Sequence, residues 1–306
     1  MRGLVLGLVL TTGSISMGYA ASRQQPQGAR VVEVEKVREN LFVLKGGGGN
    51  TAVFVQAGGV TVVDTKNPGW GQPILDAIRK LTDKPVTMIV NTHTHGDHVS
   101  GNVEFPETVQ VVTHESTKAN MSRMASPPGF PKPATAAPTI FETHKGRGLP
   151  GKTFTDRLSL GSGADQVDLY YFGRAHTNGD AMVVFPSLRV MHMGDVFPGK
   201  QIPIVDSNNG GSGLSYADTL KKSHDGVPNA DTIITGHSTL MTRQDLLEFS
   251  QFIGGFVESV RAAKNAGQTV EQAAEAWKMP AKFKGYADPQ APRLRATIQT
   301  IYDETK

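Results

Sequence analysis

Four side chains able to ligate a metal crowd into the six residues His93-Thr94-His95-Gly96-Asp97-His98. Nothing else in the chain narrows its possibilities so far. The preceding run, Val86-Thr87-Met88-Ile89-Val90, is short, apolar and β-branched, which predicts a buried strand. Residues 99–105 can begin a helix. The cluster then sits on a loop leaving a central strand, where open α/β sheets place their ligands. Imidazole and carboxylate are donors that a borderline cation such as Zn²⁺ prefers. With no Cys in the chain, every ligand must offer nitrogen or oxygen. His93 and His95 point one way and Asp97 and His98 another, so the spacing suggests two metals side by side.

The pattern His93-x-His95-x-Asp97-His98 resembles the signature of the metallo-β-lactamase superfamily of metallohydrolases. Four further stretches fit that resemblance in the family's order. Ala175-His176-Thr177-Asn178-Gly179-Asp180 is similar to its third-histidine motif. Met193-Gly194-Asp195-Val196-Phe197 is similar to the turn whose carboxylate bridges the metals. Ile234-Thr235-Gly236-His237 is similar to the Gly-His that closes the second metal. Val62-Val63-Asp64-Thr65 is similar to the strand end whose Asp supports the ligands.

The resemblance implies an α/β fold, a four-layer αβ/βα sandwich. It implies that His93, His95 and His176 hold one metal, that Asp97, His98 and His237 hold another, and that Asp195 bridges them. The expected cofactor is two Zn²⁺, with Fe or Mn compatible with the same donors. The expected chemistry is attack on a carbonyl by a hydroxide shared between the metals, with Asp97 orienting it. Asp64 is expected to fix the tautomer of a ligand histidine. His114, His144, His192 and His224 match no motif and read as structural or solvated.

The ends of the chain bear on location. Arg2, an apolar run over residues 3–10, and Gly18-Tyr19-Ala20 predict a secretory signal peptide over residues 1–20. The apolar run is too short to span a bilayer, so no stable membrane insertion is expected after cleavage. Removing Arg2 takes the formal net charge from +3 to +2. That balance, with no dense Lys/Arg stripe, argues against a nucleic-acid partner. Residues 21–30 read as a polar, disordered lead-in and residues 31–306 as the hydrolase domain with C-terminal helices. The expected location is the periplasm or the medium.

Along the domain, strands are expected over 31–37, 41–44, 51–56, 60–64 and 108–113, and helices over 71–81 and 115–124. Residues 153–160 and 166–172 are expected to pair as a hairpin, and 182–185 with 190–193 to follow. Residues 216–222, 244–265, 270–277 and 292–302 read as helices and 232–235 as a strand. Three segments read as loops: the glycine run 46–50, the Pro-rich insertion 126–150, and 206–213. For the first two, a role beside the site and a passive turn are both open.

Fold and ligands do not choose the substrate. Export argues against glutathione thioesters and transfer-RNA processing. His95 in place of a carboxylate lowers a flavodiiron-type redox reading. The favoured expectation is an exported dinuclear zinc hydrolase of a small ester, lactone or amide. One alternative is a periplasmic β-lactamase, although zinc lactamases generally lack the carboxylate that Asp195 supplies. The alternative from another class is a non-catalytic, metal-dependent binding or relay protein.

Overall fold

The computed structural model describes residues 30–130 and 137–306. The expected leader over 1–20, and all but Arg30 of the lead-in over 21–30, lie outside the described residues. Among the described residues the strands form two sheets. The first runs in chain order: β1 (Glu33–Arg38), β2 (Leu41–Lys45), β3 (Thr51–Val55), β4 (Val60–Val63), β5 (Val86–Val90), β6 (Gln110–His114) and β7 (Lys152–Phe154). Pairing is antiparallel from β1 to β4 and parallel from β4 to β7. The second sheet is made of β8 (Arg157–Leu160), β9 (Val167–Tyr170), β10 (Met182–Phe185), β11 (Val190–His192), β12 (Thr232–Ile234) and β13 (Met241–Thr242), with spatial order β13-β12-β11-β10-β9-β8.

Strands β3, β4 and β10 read as near-continuous apolar runs because both of their faces are covered. In β3, Ala52 and Phe54 enter the core between the sheets, while Val53 enters the core beneath α1 (Gly71–Leu81) with Ile74 and Ile78. In β10, Val183 and Phe185 face the first sheet, and Met182 and Val184 face the helices outside. Phe54 and Phe185 meet edge to face across the middle, ring centroids 5.1 Å apart. Outside the second sheet lie α5 (Gly213–Gly226), α6 (Arg243–Asn265), α7 (Val270–Ala276) and α8 (Ala291–Glu304). Helix α6 begins at a reciprocal cap: Asp245 N–H donates to Thr242 Oγ1, and Thr242 N–H donates to the Asp245 carboxylate. The layering is helix, sheet, sheet, helix, as the resemblance implies.

Two expectations are corrected. Residues 153–160 do not form one arm of a hairpin. Lys152–Phe154 pairs in parallel with β6 in the first sheet, and Arg157–Leu160 pairs antiparallel with β9 in the second. The chain crosses between sheets at Thr155-Asp156. The stretch expected as a helix after the signature loop is a single turn, α2 (Gly96–Val99), followed by a 3₁₀ segment at Ser100–Glu104. The remaining helices are α3 (Glu115–Met121) and, within the Pro-rich insertion, α4 (Ile140–Thr143). Phe141 of α4 packs on Val99 and Val103, so this part of the insertion backs the signature loop. No helix of the described residues is long and apolar enough to cross a membrane.

Candidate metal centre

Strand ends from both sheets deliver the site. Strand β5 ends at Val90, and the loop after it carries His93 and His95 into α2, which holds Asp97 and His98. The loop between β9 and β10 brings His176. The 3₁₀ turn Gly194–Val196 after β11 brings Asp195, and the turn after β12 brings His237. All seven side chains named from the sequence meet here, in two sets. His93, His95, His176 and Asp195 offer donor atoms mutually within 4.8 Å, as do Asp97, His98 and His237.

Asp195 faces both sets with different oxygens. Its Oδ1 lies 3.3 Å from His98 Nε2 and 3.2 Å from His237 Nε2, and its Oδ2 lies 3.8 Å from His176 Nε2. Asp97 Oδ2 lies 3.3 Å from His237 Nε2 and 3.7 Å from His98 Nε2. Within the first set His95 Nδ1 and His176 Nε2 stand 3.0 Å apart.

The outer nitrogen of each buried imidazole is already engaged, which decides its tautomer. His98 Nδ1–H donates to Asp64 Oδ2 at 2.7 Å, and His176 Nδ1–H to the Ile204 carbonyl at 2.8 Å. His95 Nε2–H donates to Asp206 Oδ2 at 2.7 Å. His93 Nδ1–H donates to Thr92 Oγ1 at 3.0 Å, whose hydroxyl donates on to Asp64 at 2.7 Å. The four remaining ring nitrogens are lone-pair acceptors turned inward. His93 Nε2 and Asp195 Oδ1 are buried with no hydrogen-bond partner. Acceptors gathered this closely repel unless a cation or proton lies among them, and a buried unpaired acceptor carries a penalty of about 1–3 kcal/mol. The donor set and its orphaned atoms therefore fit divalent metal ions.

The electrostatics of the metal-free cluster show the same demand. Asp195 holds His237 up to about 9 against the opposing effect of burial. Burial opposes ionisation of Asp195, but His237 and His98 outweigh it and hold the carboxyl well below its ordinary range. Asp97 is lowered to about 2, since His98 and His237 outweigh burial. Burial and the neighbouring His95 push His176 down to about 4.

The supporting residues include several that the sequence reading missed. Asp64 sits with a left-handed backbone, φ +63°, fully buried, accepting from Thr92 N, Thr92 Oγ1 and His98. Asp206 lies in the segment 206–213, expected as a loop, yet it is buried and locks His95. His192 donates from Nε2 to the Asn50 carbonyl and accepts from Gly194 N at Nδ1, tying the Asp195 turn to the glycine run. Lys66, also fully buried, donates to the carbonyls of Leu44 and Gly49. The glycine run itself lies against the signature loop: Gly49 N–H donates to the Asp97 carbonyl at 3.0 Å, and a Cβ on Gly49 would overlap the His98 ring. His114 caps α3 and stacks on Tyr171, and it is not among the donors of the cluster.

A cleft of about 670 Å³ opens onto His95, Asp97, Asp195 and His237. The profile of the Metallo-beta-lactamase superfamily matches residues 44–237, a span that holds all seven donors. The chain belongs to that superfamily. It is 26% identical over 254 residues to a protein named metallo-beta-lactamase type 2 from Elizabethkingia meningoseptica, covering 78% of this chain and 89% of the relative. It is 28% identical over 175 residues to the 2,4-dinitroanisole O-demethylase subunit alpha of a Nocardioides species, covering 56% of this chain and 48% of that one. Solved structures of the same fold include a metallo-beta-lactamase from Pontibacter korlensis, with TM-score 0.57, 19% identity, and coverage of 72% of this chain and 99% of that one. The inverting sec-alkylsulfatase Pisa1 from a Pseudomonas species gives TM-score 0.67 at 14% identity, over 90% of this chain and 50% of that one.

Proposed function

We propose that this superfamily member is an exported dinuclear zinc hydrolase that opens an ester, lactone or amide-type carbonyl of a small molecule. The observation that carries the reading is the split engagement of Asp195, one oxygen toward each imidazole set. His93, His95 and His176 would hold one ion, Asp97, His98 and His237 the other, with Asp195 between them. Such a pair, when bound, supplies a water acidified to near neutral pH and a Lewis acid for the carbonyl.

The chain's own residues supply the rest. Asp97 stays ionised at neutral pH and is about a third exposed, at 33%, so its carboxylate can accept a hydrogen bond from water entering the cleft and orient it. Asp64, Asp206 and the Ile204 carbonyl keep each imidazole's donor nitrogen outward and its lone pair inward. Met124, Pro127 and Ile202 add apolar side chains to the lining of the cleft.

The relatives' names cover lactam, sulfate and ether chemistry, so family membership leaves the scissile bond open. Asp195 speaks against efficient lactam hydrolysis, because zinc lactamases generally lack it. The test uses the protein from residue 21 onward, loaded with zinc, against chromogenic ester, lactone and cephalosporin substrates. Turnover of at least one is expected, abolished by a chelator and restored by zinc. A fully loaded protein inert to the whole panel would favour a non-catalytic binding protein instead.

A further inference from the structure

The cleft has a second polar feature, at a distance in sequence from every metal-binding motif. Arg293, in the first turn of α8, lines the same cleft as His95, Asp97, Asp195 and His237. Its side chain is half-buried, and its guanidinium lies over the ring of Phe130, 5.2 Å from the centroid. It forms no ion pair among the described residues. Its position is also unfavourable for the helix. The first turn of a helix favours acidic side chains, and α8 has none there. Neither helix stability nor a counter-charge explains an arginine at this place.

Met124, Pro127, Ile202 and Ile204 give the same cleft an apolar share of its lining. A guanidinium presents a planar fork of donors that matches a carboxylate or sulfonate and is weakly hydrated when stacked on an aromatic ring.

We infer that Arg293 and Phe130 form an anion-recognition end of the cleft, and that the substrate is a small molecule joining an anionic group to its scissile bond through an apolar arm. The scissile part of this inference rests on the hydrolytic reading above. The anion-binding part does not depend on it. Arg293 is here a specificity residue: it touches a remote part of the substrate and no reacting atom.

Two measurements on the zinc-loaded protein separate these parts. The first compares kcat/KM for 4-nitrophenyl hydrogen glutarate with that for the neutral 4-nitrophenyl pentanoate. The native chain should favour the anionic ester, and Arg293→Gln should lower the anionic-to-neutral ratio about tenfold or more, the size of a lost charge-assisted hydrogen bond. Arg293→Lys should recover part of it. The second is calorimetric titration with 3-phenylpropanoate, its sulfonate analogue and 3-phenylpropanamide. The two anions should bind more tightly than the amide, and Arg293→Gln should weaken both anions about tenfold; a loss confined to one anion identifies the acid group the site prefers. Equal binding of anion and amide, no binding of either, or anion binding unchanged in Arg293→Gln overturns the inference, the last by assigning the anion to the metals. Turnover of the neutral ester without anion selectivity would leave the hydrolase standing alone. Selective anion binding with no turnover of either ester would do the reverse.

Discussion

At the scale of single residues, the side chains that the fold gathers into the candidate centre were legible because they occur as motifs. His93, His95, Asp97 and His98 are adjacent in sequence, and His176, Asp195 and His237 sit in short patterns with glycine and threonine neighbours. Their supports were not legible in the same way. Asp206 and Lys66 carry no local signal, since their partners lie 111 and 17–22 residues away. Asp206 yields a direct prediction. Asp206→Ala should leave the fold intact and weaken metal retention about 10–100-fold, the usual consequence of losing a histidine's outer partner. Competition with a chromophoric chelator checks this, and unchanged retention would show that His95 needs no such support.

The pH dependence is also a residue-scale matter. His237 is raised from 6.5 to about 9 in the metal-free cluster. A raised histidine contributes stability that is fully present below 6.5 and is lost as pH rises to about 9. Metal binding demands neutral imidazole, so ions displace protons in the same window. Lys66, pushed down to about 7 by burial, changes stability in the opposite sense, gaining as pH rises from 7. A cation held by Asp97 would offset the carboxylate that raises Lys66 and lower it further, so Lys66 shifts the difference between loaded and metal-free protein in the same direction as His237. The gap in Tm between the two forms should therefore widen from pH 6.5 to 9. A gap constant across that range would contradict the electrostatic picture of the cluster.

At the scale of elements, helices and strands with clear periodicity agree closely with their expected bounds. Gly71–Leu81 and Val86–Val90 coincide residue for residue, and Gln244–Asn265 lacks only the first residue of α6. The failures are of pairing. Residues 152–160 carry strand-like residues throughout, and nothing local records that Phe154 and Arg157 belong to different sheets. The glycine run reads from its sequence as a loop, with a role beside the site and a passive turn both open. In the fold its glycines permit close approach: Gly47 lies against Trp70, Gly48 against the Asp97 backbone, and Gly49 against His98. Gly49→Ala should thus displace either this loop or the His98 ring. Hydrolysis should fall at least tenfold, from a ring misplaced by about 1 Å, while the circular-dichroism spectrum stays unchanged. Full activity in that variant would mean the loop yields without moving the ligand.

At the scale of the whole molecule, the layering explains why donors scattered from residue 93 to residue 237 converge. Each sheet is covered on both faces, so loops collect at the strand ends, and the first sheet contributes one half of the site and the second sheet the other. The burial pattern of the strands is visible in the sequence as β-branched runs. The stacking of one sheet on the other was legible only through family resemblance, because it depends on contacts such as Phe54 with Phe185, more than a hundred residues apart. The central claim is that this architecture cages two ions with Asp195 between them. Anomalous diffraction from crystals of the zinc-loaded protein tests it most directly. Two peaks are predicted, one among His93, His95 and His176 and one among Asp97, His98 and His237, with Asp195 bonded to both. A single peak at full loading, or an Asp195 carboxylate outside either coordination sphere, would contradict the account.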